Sequence, residues 1–220
     1  MTFQRIGGLA ALVCGATYLI GFALLVTLLA PLGFGTKEID ARAVVDFIDT
    51  SPGILIAWNT TIYVVNALAL AVLVMALSLR LSKATPGWAS AAQAFGLIWA
   101  ALVLGAGMMA NVAVVRASHV YATDPEAAAQ LWDVLHSVEL GLGGGNEIAG
   151  GIWILCVSIA GLVGRSIARA IAVLGVLTGF GGLATIVPAL GDTAGAIFGL
   201  GAIAWFLAIG AVLAIGRRPA

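Results

Sequence analysis

Six long apolar stretches alternate with short polar segments along the chain, at about 7–32, 54–80, 88–115, 140–163, 168–190 and 193–216. Each supplies the roughly 20 apolar residues that a helix needs to cross the hydrocarbon core of a bilayer. Membrane β-strands would be about half as long and would alternate in polarity, and these runs do neither. The pattern predicts an all-α, polytopic membrane protein in which residues 1–220 form one six-helix transmembrane bundle. The first run, Ile6 to Leu32, exceeds the roughly 7–15 apolar residues of a signal peptide, and no small-x-small cleavage site follows it. It is expected to stay as the first span.

The connections are unequal. Two are about twenty residues long, and each contains a short amphipathic helix by its spacing. In the first, Ala41, Val44, Val45 and Ile48 recur at i, i+3, i+4 and i+7. In the second, Asp124 and Pro125 form an N-cap followed by proline at the first helical position, and Ala128, Leu131, Trp132 and Leu135 make the stripe. Both stripes are expected on the outer membrane surface or over the outer mouth of the bundle. The two segments share an Asp-x8-Asp frame, Asp40 to Asp49 and Asp124 to Asp133, but little else aligns and coincidence accounts for it. Short turns are expected at Ser82–Gly87 and Gly164–Ser166. In the last connection Gly191 is expected to end one helix and Asp192 or Thr193 to cap the next.

Charge orients this layout. Arg5, Arg80, Lys83, Arg165, Arg169, Arg217 and Arg218 fall on one side of the six spans, and only Lys37, Arg42 and Arg116 on the other. Every acid except Glu147 lies at or beyond the basic-poor edge. The positive-inside rule then places both termini in the cytoplasm and the amphipathic helices outside. Composition agrees: the chain is 62% hydrophobic and 9% charged, with a mean hydropathy of +1.12, where a soluble domain carries about a quarter charged residues. Net charge is zero, so no basic face for nucleic acid is expected. Cys14 and Cys156 both fall inside apolar runs and read as buried thiols.

Polar side chains inside a span are costly, and each is a candidate site residue. Asn59 and Asn66 are seven apart on the second span, with Tyr63 near their stripe. The third span carries Gln93 and Asn111 and ends at Arg116. The fourth carries the run Gly141 to Trp153, with Asn146 and Glu147 among its glycines. At 1.5 Å per residue, Asn146 and Glu147 lie roughly 10 Å below the outer edge and Asn66 near the midplane. Three helices thus bring amides and one carboxylate into the outer half of the bilayer. An outward-facing pocket formed by Asn59, Tyr63, Asn66, Asn111, Asn146 and Glu147 is one reading, with Arg116 as counter-charge and Trp153 on its floor. The other is that Glu147 is protonated and hydrogen-bonded to Asn66 or Asn111, tying helices together by about 1 kcal/mol.

The glycines near Glu147 also have two readings: close helix packing, or a broken helix of the transporter kind. Gly175/Gly179 and Gly195/Gly199 are GxxxG frames in the last two spans, which read as a packed scaffold hairpin. His119, His136 and Glu139 are weak candidates for a metal site at the mouth and stand more simply as solvated loop residues. Trp58 and Trp88 suit the two interfaces, Trp132 the surface helix, and Trp99 and Trp205 the core or the lipid face. There is no P-loop, dinucleotide fingerprint, HExxH or GxSxG, so no cofactor is implied.

The opening RIGGLAAL, Arg5 to Leu12, together with the spacing of the spans and the amphipathic outer loops, resembles a family of bacterial six-span membrane proteins grouped as a domain of unknown function (the DUF4386 type). The resemblance implies a bacterial inner-membrane protein and transfers no site residues. Three functions remain open. The first is binding or transport of a small, partly apolar or lipid-like ligand. The second is an embedded enzyme using Glu147 as acid or base, with His136. The third is an accessory or structural subunit that acts in an oligomer or with a partner protein.

Overall fold

The computed structural model describes residues 2–34, 39–144 and 147–215. Uniformly apolar segments have one way to satisfy their backbone in lipid, by internal helical hydrogen bonds, and no strand occurs among the described residues. The helices are α1 (Phe3–Val26), α2 (Ala41–Thr50), α3 (Pro52–Asn59), α4 (Asn66–Leu81), α5 (Pro86–Tyr121), α6 (Pro125–Glu139), α7 (Ile148–Val163), α8 (Arg169–Ala184) and α9 (Gly191–Ile215). A π-helical turn, Thr60–Val65, joins α3 to α4, and a second, Leu140–Gly144, follows α6. Five helical stretches are long and apolar enough to cross a membrane: Phe3–Val26, Pro52–Leu81, Pro86–Tyr121, Pro125–Val163 and Pro188–Ile215. The chain has the make-up of a helical membrane protein.

The stretch expected at 168–190 differs. Its helix α8 has 16 residues, about 24 Å against a hydrocarbon core of roughly 30 Å. Pro188 disfavours the α conformation at the preceding residue, and Val187 is extended (φ −93°, ψ 108°), so the helix does not run on to 190. Gly191 accordingly opens α9 and does not close α8.

The chain divides into two compact units. The first comprises residues 1–16, 66–102 and 146–220. Its tightest contact is between α7 and α8, where glycines allow the two backbones to touch. A Cβ on Gly151 would lie 2.8 Å from the Gly179 carbonyl oxygen, and one on Gly179 2.8 Å from the Gly151 oxygen. Gly175 packs on Ser158 and Trp205, whereas a Cβ on Gly195 would meet nothing within 4 Å. The first GxxxG frame is therefore a packing device, and the second is not one at Gly195. Trp153, Trp205, Phe198 and Phe206 are fully enclosed and, with Trp99, form a connected ring cluster with centroids 5.5–6.4 Å apart. Polar ties are few: Gln4 Nε2 donates to the Ala76 carbonyl, Ser78 Oγ to Gln93 Oε1, and Arg80 to the Ser166 carbonyl.

The second unit comprises residues 17–65 and 103–145. Here α2 and α6 pack on each other. Val44, Val45 and Ile48 from α2 and Ala128 and Trp132 from α6 are buried with Leu55, Trp58, Ala113, Val114 and Ala117. These stripes therefore cover the unit's own core instead of lying on a membrane surface. Leu131 and Leu135 are only half-buried, and the apolar face that α6 leaves open is carried by Val134 and Val138. Asp40 and Asp124 are equivalent N-caps: each Oδ1 accepts from the backbone N–H groups two and three residues on, at 3.0–3.1 Å. Asp40→Ala and Asp124→Ala are each expected to cost about 1 kcal/mol of stability, read as a lower unfolding midpoint in detergent. An unchanged midpoint would mean that neither helix needs its cap.

Candidate functional site

The site begins with the π turn after α3. A π turn is wider than an α turn, so it shifts the helical phase of every residue that follows. The seven-residue spacing of Asn59 and Asn66 therefore loses its one-face meaning. Tyr63 sits within this turn, and its Cβ packs directly on Gly107, where any side chain would collide with it. Tyr63 Oη donates to Glu139 Oε1 at 2.6 Å. Glu139 closes α6 immediately before the second π segment, in which Gly143 takes a φ of 145° that L side chains rarely adopt.

One α-helical turn earlier, His136 Nδ1 lies 2.7 Å from Glu139 Oε2. The carboxylate, only 4% exposed, thus joins a phenol and an imidazole in one chain. With Nδ1 facing Glu139, Nε2 is the ring nitrogen turned away from the pair. Nε2 is buried and has no hydrogen-bond partner.

Aromatic rings surround this imidazole. Trp132 stacks on it, with centroids 4.7 Å apart and planes 15° apart. Phe34 stands edge-on to His136, Trp132 and Trp58 at 5.4–6.2 Å. Trp58 is 7% exposed, and its Nε1 donor also lacks a partner. The cluster therefore offers one imidazole nitrogen and one indole N–H donor between aromatic walls. A buried polar group left unpaired costs about 1–3 kcal/mol, so a ligand that satisfied both would recover part of that cost.

The residues singled out from the sequence fall in both units. Asn59, Tyr63, Asn111 and Arg116 belong to the second. Asn59 is buried, and Asn111 Nδ2 donates to Thr60 Oγ1 at 3.0 Å while its Oδ1 is buried and unpartnered. Arg116 is exposed. Asn66, Glu147 and Trp153 belong to the first unit. Asn66 Nδ2 donates to the Cys14 carbonyl at 3.4 Å. Glu147 directly precedes α7, where its N–H donates to Thr185 Oγ1 at 3.2 Å and its carbonyl accepts from Gly151. Trp153 is fully buried within the ring cluster. Asn146 lies outside the described residues. Of the three weak metal candidates, His136 and Glu139 pair with each other while His119 is exposed on α5. No group of three or more His, Cys, Asp or Glu suited to a metal ion occurs among the described residues.

Phe34, Trp58 and Trp132 are the site residues that sequence patterning missed, Trp132 being legible only as part of the α6 stripe. Trp58 resembled an interface tryptophan, and Phe34 stood next to a polar loop with no periodic signal. Compared with known proteins, the chain matches no family model, no curated protein and no solved structure.

Proposed function

We propose that this chain is a six-span protein of the bacterial inner membrane that binds a small, partly apolar ligand from the non-cytoplasmic side. The reading takes α8 as a short sixth span and both termini as cytoplasmic. The basic residues at Arg5, Arg80, Lys83, Arg165 and Arg169 support it, as does the resemblance carried by Arg5–Leu12. The observation that carries it is the buried, unpartnered Nε2 of a histidine already oriented by Glu139, inside the aromatic cage of Phe34, Trp58 and Trp132.

A fitting ligand places an O–H or N–H against His136 Nε2, an acceptor against Trp58 Nε1, and apolar surface against the rings. Asn59 and Asn111 lie in the same unit and add amides for a larger polar end. An imidazole held by a carboxylate is also how general bases are oriented, so an embedded enzyme would find its base in His136 with Glu139, in preference to Glu147.

The test is a thermal-shift screen of detergent-purified protein against small amphipathic alcohols, amines and acids. The expected result is a class of compounds that stabilises the wild type, with affinity falling about tenfold in His136→Phe, the loss of roughly one hydrogen bond to the ligand. Equal stabilisation of wild type and His136→Phe by every active compound would refute the site.

A further inference from the structure

We propose that the exposed face of α5 in the second unit binds an anionic phospholipid, its phosphodiester held by Arg116 and His119 and an acyl chain lying along Val115, Val112 and Met108. This surface is separate from the His136 cluster and uses none of Tyr63, Glu139 or His136. A shallow groove of about 390 Å³ is bordered by Asn111, Val112, Val115, Arg116 and His119, all from α5. Positions 108, 112, 115 and 119 follow one another turn by turn on one helix face. Met108, Val112 and Val115 are between 44% and 57% exposed, so the face is an apolar strip that ends in two basic side chains.

Charge complementarity names the headgroup. Arg116 makes no ion pair with any described residue. Asp46, a carboxylate of the same unit, is already taken by Arg42 Nε at 3.0 Å and Tyr121 Oη at 2.8 Å. Arg116 is thus open to an anion from outside the chain, and the apolar strip beside it favours an amphiphile over a free ion. A guanidinium presents a planar fork that matches two phosphate oxygens. An arginine at the end of a span contributes about 1 kcal/mol toward anionic lipid.

The experiment is native mass spectrometry of detergent-purified protein titrated with dioleoyl phosphatidylglycerol or dioleoyl phosphatidylcholine. The expected result is about a fivefold preference for phosphatidylglycerol in the wild type, reduced to parity in Arg116→Gln/His119→Gln and kept in His136→Phe. Both substituted side chains are exposed, and an unchanged unfolding midpoint of the double variant establishes that it remains folded. Equal binding of the two lipids by the wild type would overturn the proposal, as would a preference that survives the double substitution. Displacement of the lipid by millimolar inorganic phosphate would also overturn it, since the site would then belong to a free anion.

Discussion

Replacing Glu139 with alanine is expected to destabilise the protein by about 2–6 kcal/mol, because it leaves two buried hydrogen-bonding groups unsatisfied at about 1–3 kcal/mol each. The carboxylate is almost fully enclosed and holds two groups at once, Tyr63 Oη at 2.6 Å and His136 Nδ1 at 2.7 Å. Its removal leaves a phenol and an imidazole without their partner and opens a void at the end of α6. Glu139→Gln is expected to cost less, because the amide oxygen still accepts from one of the two donors. Ligand binding at His136 is expected to fail in Glu139→Ala, where the imidazole is no longer held. A double-mutant cycle separates the parts: Tyr63→Phe with Glu139→Ala is expected to be clearly less than additive, as for residues in one hydrogen-bonded network. Additive effects, read from unfolding midpoints in detergent, would show that the phenol and the carboxylate do not depend on each other.

Gly151→Val is expected to be among the most damaging single changes in the first unit. A side chain there would press on backbone, with the Gly179 oxygen at 2.8 Å and the Gly182 carbon and Leu183 nitrogen at 2.9 Å. Backbone cannot rotate away as a flexible side chain can, so α7 and α8 must separate. Overpacking a filled core costs roughly 1–3 kcal/mol and occasionally more, and a shift of two helices belongs at the upper end. Gly195→Ala is the matched control. Nothing lies within 4 Å of its Cβ position, and alanine gains up to about 1 kcal/mol of helix propensity over glycine. The pair of measurements is decisive together. If Gly195→Ala destabilised as much as Gly151→Val, close approach of α7 and α8 would not be what the glycines provide.

Much of this molecule is legible in its sequence because apolar runs of this length have few alternatives to helix. The amphipathic stripes of α2 and α6 and the cap at Asp124 follow from spacing alone. What the stripes cover does not, since a stripe of Val44, Val45 and Ile48 suits a membrane surface and a neighbouring helix equally well. A helix stop before 190 was present in the sequence as Pro188, hidden within a run that hydropathy treats as continuous. The two π turns left no signal in the apolar pattern, and they altered the site most. The turn at Thr60–Val65 breaks the phase of the Asn59–Asn66 pair, and the turn at Leu140–Gly144 follows directly on Glu139. The His136–Glu139 spacing was visible, but as a weak metal pattern. Its meaning depends on Tyr63, which is 76 residues away in the chain from Glu139.

That the His136 site opens to the non-cytoplasmic side is tested most directly by thiol labelling with a membrane-impermeant maleimide in intact bacterial cells. Cys14 and Cys156 are buried, while Ser137 on α6 and Ser82 in the turn after α4 are exposed. The proposed topology predicts that Ser137→Cys is labelled in intact cells and that Ser82→Cys is labelled only after permeabilisation. Labelling of Ser82→Cys in intact cells, with Ser137→Cys protected, would contradict it.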